Sequence, residues 1–220
     1  MKTVVVIATY NEADNIERLL NMLREYTVVL VDDSSPDGTG EIAKSYLNVQ
    51  VISRPGKLGI ASAYKQGFEH ALNYNPDYVV QMDAGLTHNP KDIWAMIDMA
   101  IIYDADLVGG NRFSYPIADK TKRTLLSNTA SALMRFTGID VQDATCGFRL
   151  WKPSLLRKIV NSQWISQGFA FQLETLHMAK ILSGMPKIKF VPIEYKLTNS
   201  SLNWKILLEA IKIYAIIFWW

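Results

Sequence analysis

Cysteine is nearly missing from this chain of 220 residues: Cys146 is the single one, which excludes an intrachain disulfide and a thiolate metal cage. A strong charge of one sign is also missing. Lys and Arg number 23 against 21 Asp and Glu, a net of +2, too little for a nucleic-acid binder that works by general phosphate neutralisation. Glycine is absent from the turn TYNEADN, residues 9–15, which follows the first strand-like run. A nucleotidyltransferase with a similar sheet would carry its glycine-rich phosphate loop there. Internal repeats and low-complexity linkers are lacking, so no boundary divides the main body. The run Thr3 to Ala8 is too short and too weakly charged for a signal peptide, and a reducing, cytoplasmic setting fits.

Apolar runs long enough to cross a bilayer, about 20 residues, do not occur either. The longest is Ile206 to Trp220, apolar except for Glu209 and Lys212. The expected division is a main domain over 1–202 and an apolar C-terminal helix over 203–220. That helix could lie in a membrane interface, with Trp219 and Trp220 at the headgroup level. It could equally pack on a core or be the cut end of a longer membrane segment.

Strand-like and helix-like segments alternate along the first half. Val4 to Ala8 reads as a strand. Ile16, Leu19, Leu20 and Leu23 then mark one face of a helix, for which Asn11 and Asp14 resemble an N-cap arrangement. Strands are expected at Val28 to Val31, Val49 to Ser53, Tyr78 to Met82 and Asp106 to Gly109. Helices are expected through Ala43 and Tyr46, from Ile60 to Tyr74 and from Lys91 to Ile102. This is an α/β pattern, a Rossmann-like, mostly parallel sheet with helices on both faces. Ligands of such sheets bind beyond the carboxyl ends of the strands. Those ends carry Thr9-Tyr10-Asn11-Glu12, Asp32-Asp33, Arg54, Asp83 and Asn111-Arg112.

Neighbouring carboxylates such as Asp32 and Asp33 need hydrogen-bond donors, a ligand or a cation to offset their repulsion. An Asp-rich capped turn would serve as well as a ligand site. Asp83 ends an apolar strand in MDAGLTHNP, where it could give a hard cation one of its carboxylate ligands. His88, five residues on, is a weaker candidate. Lys57 in RPGKLG lies before a helix start, a position that favours phosphate. Arg112, Arg149 and the Lys120, Lys122, Arg123 cluster are candidate phosphate contacts, each with solvated surface charge as the alternative.

The segments ATYNEADNI, VDDSSPDGT, RPGKLGIASAYKQGFEHA, QMDAGLTHNP, GGNRF, ATCGFRLW and GFAFQLE run in register from Ala8 to Glu174. Together they resemble the family 2 glycosyltransferases of GT-A fold, and within them the dolichol-phosphate mannose synthase group. The resemblance implies a donor-nucleotide site at Ala8, Tyr10, Glu12, Asp32, Asp33 and Lys57. It implies Asp83 as the first acid of the metal-binding Asp-x-Asp motif, with Mg²⁺ or Mn²⁺ as cofactor. Arg112, Arg123 and Ser127 are similar to the residues that hold an acceptor phosphate. Two departures stand out: Gly85 replaces the second acid, and the late segment is shortened to YKLTNSSLN, where Lys196 replaces an arginine.

The implied activity is inverting transfer of a hexose from a nucleotide sugar, GDP-mannose or UDP-glucose, to a polyprenyl phosphate at the cytosolic face of a membrane. A soluble relative with a hydroxyl acceptor would need a carboxylate base, for which Asp143 and Glu174 are the candidates. A sugar-nucleotide-binding protein without catalysis is the third reading, and Gly85 is its support.

Overall fold

A computed structural model describes residues 1–114, 122–195, 212 and 215, with the side chains of 122–126 excluded. Seven strands form one sheet: β1 (Thr3–Thr9), β2 (Thr27–Asp32), β3 (Val49–Ser53), β4 (Tyr78–Asp83), β5 (Leu107–Asn111), β6 (Arg149–Trp151) and β7 (Ile188–Pro192). Between them run α1 (Ala13–Met22), α2 (Thr39–Lys44), α3 (Ile60–Leu72), α4 (Asp92–Tyr103), α5 (Lys122–Phe136), α6 (Pro153–Val160) and α7 (Phe171–Ser183). The strand order is β3-β2-β1-β4-β6-β5-β7, parallel except at β6, which runs antiparallel to both β4 and β5.

The β-branched runs explain the centre of the sheet. Val4 to Ile7 and Val28 to Val31 are wholly buried, as strands covered on both faces must be. Alternate residues divide between two cores. Val4, Val6, Val29 and Val79 face α3, α5, α6 and α7, whereas Val5, Ile7, Val28, Leu30, Val80 and Met82 face α1, α2 and α4. Each such side chain contributes about 1.5–3 kcal/mol by leaving water. Helices therefore cover both faces, as expected. At Gly67, α3 meets the sheet so closely that a Cβ would stand 2.5 Å from Val6 Cγ1.

Two local expectations are corrected. Asn11 does not cap α1; it takes a left-handed φ of 59°. Glu12 occupies the cap position without a side-chain cap bond. The exposed helix amide of Ala13 donates instead to Asp37 Oδ2 at 2.9 Å, so a residue beyond the next strand closes the helix end. The helix expected through Tyr46 stops at Lys44. The strands β6 and β7 were not expected. Among the described residues no helix is long and apolar enough to cross a membrane. The 206–220 run, Lys196 and Lys120 lie outside the described residues, apart from 212 and 215.

Candidate active site

The carboxyl ends of β1, β2 and β4 are adjacent. Ala8 pairs with Val31 on one side and Asp83 on the other, and Thr9 pairs with Asp32. Two strand spacings, about 10 Å, therefore separate the Asp32-Asp33 end from Asp83. Both acidic points share one rim.

Asp32 builds this rim. Its Oδ1 accepts the hydroxyls of Thr9 at 3.0 Å and Ser35 at 2.6 Å, and its Oδ2 accepts the Ser35 N–H at 3.1 Å. The 33–38 loop is stitched to the 10–13 turn by further bonds. The N–H of Asn11 donates to Ser35 Oγ at 3.0 Å and that of Glu12 to Thr39 Oγ1 at 2.9 Å. The Thr39 hydroxyl, with the amides of Ala13 and Thr39, holds the Asp37 carboxyl below its usual range. Asp33 is buried and ion-paired with Arg54. Arg54 goes on to Ser62 Oγ at 2.7 Å and to the Gly59 carbonyl at 3.0 Å. Lys57 from the next loop lies 4.1 Å over the Tyr10 ring, a cation–π contact at the mouth of the rim.

Asp83 is more open, its side chain 36% exposed, and His88 Nδ1 lies 3.8 Å from its Oδ2. His88 is itself buried and stacked on Phe148, with ring centroids 5.0 Å apart. The Tyr64 hydroxyl donates to the Met82 carbonyl at 3.0 Å and reaches Asp83 Oδ1 at 3.4 Å. Burial first, and then Asp83, push the Tyr64 phenol up, so it stays protonated. Gly147 stands against Asp83: a Cβ there would be 3.1 Å from Oδ1 and 3.2 Å from Gln172 Nε2. Across the rim, burial and then the charges of Asp83, Asp37 and Asp14 push the Glu12 carboxyl up, against the Asn15 hydrogen bond.

The second polar group lies past β5. Arg112 is buried and forms a fork on Asp143, Nε to Oδ2 at 2.7 Å and Nη2 to Oδ1 at 2.8 Å. Its Nη2 also donates to Thr145 Oγ1 at 2.6 Å, and that hydroxyl donates to Ser127 Oγ at 2.9 Å. Ser127 and Arg112 therefore meet, with Thr145 between them, a residue whose neutral side chain gives no sign of this role in the sequence. Arg123 falls in the first turn of α5, four positions before Ser127, and its side chain is outside the described residues.

Other candidates have structural duties. Arg149 is not at the rim: it is buried and donates to the carbonyls of Cys146, Ala144 and Gln172 and to Thr175 Oγ1. Burial lowers its pKa to about 10. It ties the 144–146 loop to α7 and offers no phosphate contact. Glu174 accepts the N–H groups of Ile165 at 2.6 Å and Ser166 at 2.9 Å. Asp143 is spent on Arg112.

A family model described as glycosyl transferase family 2 matches residues 4–163. The chain belongs to that family. It is a glycosyltransferase, and its fold is of the GT-A type. Polyprenol monophosphomannose synthase of Mycolicibacterium smegmatis is 32% identical over 211 residues, spanning 88% of this chain and 77% of the relative. Undecaprenyl-phosphate mannosyltransferase of Micrococcus luteus is 31% identical over 228 residues, 96% of this chain and 91% of the relative. Glucosyl-3-phosphoglycerate synthase from Mycobacterium tuberculosis, in complex with Mn²⁺, UDP and glucosyl-3-phosphoglycerate, superposes with a TM-score of 0.73 at 16% identity, covering 99% of this chain and 78% of that one. Mannosyl-3-phosphoglycerate synthase from Rubrobacter xylanophilus gives 0.75 at 15%, covering 98% and 73%.

The donors on the rim can be compared with what a divalent cation such as the Mn²⁺ of the glucosyl-3-phosphoglycerate synthase complex requires. Among the described residues no three His, Cys, Asp or Glu side chains form a cage. Mg²⁺ and similar hard ions take one or two carboxylates and complete their shell with substrate phosphates and water. The open Asp83 carboxylate, with Gly85 and Gly147 leaving room beside it, fits that kind of site.

Proposed function

We propose that this family-2 enzyme transfers a hexose, with inversion, from a nucleoside diphosphate sugar to a polyprenyl phosphate at the cytosolic face of a membrane. The donor is GDP-mannose or UDP-glucose, bound along Ala8, Tyr10, Glu12, Asp32, Asp33 and Lys57. Asp83 would hold Mg²⁺ or Mn²⁺, whose chemistry is to neutralise the charge on the departing diphosphate. The names of both curated relatives support the phosphate acceptor.

One observation carries the choice of acceptor. A hydroxyl acceptor must lose a proton to a carboxylate within hydrogen-bond reach. The two acids considered for that task are engaged elsewhere, Asp143 by the Arg112 fork and Glu174 by two backbone amides. A phosphate monoester, with its second pKa near about 6, is already a nucleophile at neutral pH. Its oxygen forms a bond to the anomeric carbon as the bond to the diphosphate breaks, and the nucleoside diphosphate leaves with the electron pair. The protein's task is then positioning. Arg112, Thr145 and Ser127 form the polar cluster that would receive the acceptor phosphate, and Arg123, four positions before Ser127 in the chain, is the further acceptor candidate.

The test is incubation with each labelled nucleotide sugar and either a short polyprenyl phosphate or the matching polyprenol. Product on the phosphate alone is the expected result; product on the alcohol, or none from any donor, overturns the reading. Arg123→Ala should raise the acceptor KM about tenfold or more and leave the donor KM within about twofold. Equal effects on both would remove Arg123 from the acceptor site.

A further inference from the structure

Arg149 begins β6, which runs antiparallel to both of its neighbours. It pairs with Gln81 and Gly109, just below Asp83 and Arg112 in the chain. The segment that leads into it therefore passes along the carboxyl ends of β4 and β5. Arg149 is 2% exposed, and every acceptor it reaches is neutral. Nη2 donates to the Ala144 carbonyl at 2.6 Å and Nε to that of Cys146 at 3.1 Å. Nη1 donates to the Gln172 carbonyl at 2.9 Å and to Thr175 Oγ1 at 3.1 Å, both on α7. A buried charge with no carboxylate among these partners is costly, and stability alone is often served as well by an apolar side chain. What the guanidinium adds is geometry, because its planar fork holds several donors in one fixed arrangement.

That arrangement centres on one residue. Ala144 and Cys146 are the two chain neighbours of Thr145, so Arg149 grips the backbone on both sides of it. The Ala144 N–H is held in turn by Ser131 Oγ at 3.0 Å, and Ser131 donates to the Ser127 carbonyl at 2.9 Å. The Thr145 hydroxyl then stands between Arg112 Nη2 at 2.6 Å and Ser127 Oγ at 2.9 Å. Two residues further on, Gly147 passes so close to Asp83 that a Cβ would lie 3.1 Å from Oδ1. One buried side chain thus fixes the loop that joins the Arg112 cluster to Asp83, and fastens it to α7.

We propose that Arg149 is a positioning residue for the acceptor phosphate, acting through Thr145. It touches no substrate. It sets where the Thr145 hydroxyl stands, and with it the Arg112 and Ser127 donors, relative to Asp83. This role rests on the phosphate-acceptor reading above. A misplacement of about 1 Å can cost about a hundredfold in rate, so a residue that never meets the substrate can govern its use.

Three variants test this. Arg149→Lys keeps a cation and loses the fork, and Thr145→Val keeps the shape and loses the hydroxyl. Thr175→Val removes one acceptor of Arg149 and leaves residues 144–147 unchanged. Binding of a short polyprenyl phosphate is measured by calorimetry, and KM is measured for acceptor and donor separately. Thr145→Val should raise the acceptor Kd and KM about tenfold or more. Arg149→Lys should do the same, with the donor KM within about twofold. Combined, the two should do no more than the stronger one alone, because one acts through the other. If circular dichroism shows Arg149→Lys unfolded, Thr175→Val carries the test: an acceptor KM raised about threefold, and no further rise when it is added to Thr145→Val. Effects that multiply, equal losses for donor and acceptor, or an unchanged acceptor KM in folded variants overturn the role of Arg149 and leave the acceptor reading standing. If wild type binds no polyprenyl phosphate, the acceptor reading itself fails and this role falls with it.

Discussion

A single carboxylate ties the end of β5 to the loop before β6. Asp143 is fully buried, and its two oxygens take the fork of Arg112. Replacing one member of a buried pair strands the other's charge, at a cost of about 3–5 kcal/mol. Asp143→Asn should therefore lower unfolding stability by about that amount in urea titrations, and a loss under about 1 kcal/mol would show that Arg112 finds another partner. Cys146, three residues on, gives the matching pH test. Burial first, then the Asp143 charge, push its thiol up to about 12 from an ordinary 9.0. The folded thiol thus stays neutral while the unfolded one ionises, and this contribution to stability is whole below pH 9 and lost as pH rises toward 12. A disulfide reagent at pH 8 should label Cys146 only after unfolding; prompt labelling of native protein would contradict its burial. At this scale the sequence was legible wherever a side chain ends a strand, as Asp32, Asp33 and Asp83 do. It was opaque where a partner is distant in the chain. Nothing around Glu12 or Gly85 alone announces that they meet, and the charge of Arg149 gave no sign that carbonyls would surround it.

The elements follow the same division. The runs that form β1 to β5 are legible because β-branched residues continue for a strand's length and turn formers bound them. The strand β6 offers three residues, Arg149 to Trp151, and exists because it lies antiparallel between β4 and β5. The strand β7 is an edge, half-buried over most of its length, so its pattern is weak. The helix α3 shows an element whose placement depends on an absent side chain. Gly67 faces Val6 and Val31, where a methyl group would come within 2.5 Å and 3.1 Å of their methyls. Helix propensity alone would favour alanine there by about 1 kcal/mol, but overpacking a full core costs about 1–3 kcal/mol. Gly67→Ala should therefore lower the melting temperature, most of it through displacement of α3. A rise would mean that the helix can lift from the sheet without loss.

Across the molecule, rigidity and chemistry are arranged along one gradient. The strand β1 is flanked by β2 and β4 and covered on both faces, whereas β3 and β7 are the two edges. Edge strands leave one side of their hydrogen-bonding groups without a ladder and open by local fluctuation, but central strands open only when the whole domain does. Native-state hydrogen exchange should accordingly find the amides of Val5 to Ile7, Val29 to Val31 and Val80 to Met82 protected to the limit set by global unfolding. Amides of β3 and β7 should exchange faster, through openings that denaturant affects little. The rim residues Glu12, Asp33 and Asp83 follow or end these three central strands, which hold them in place. Equal protection at β1 and β3 would break this link between position in the sheet and stiffness of the site, because the donor-binding end would then rest on strands no firmer than the edge.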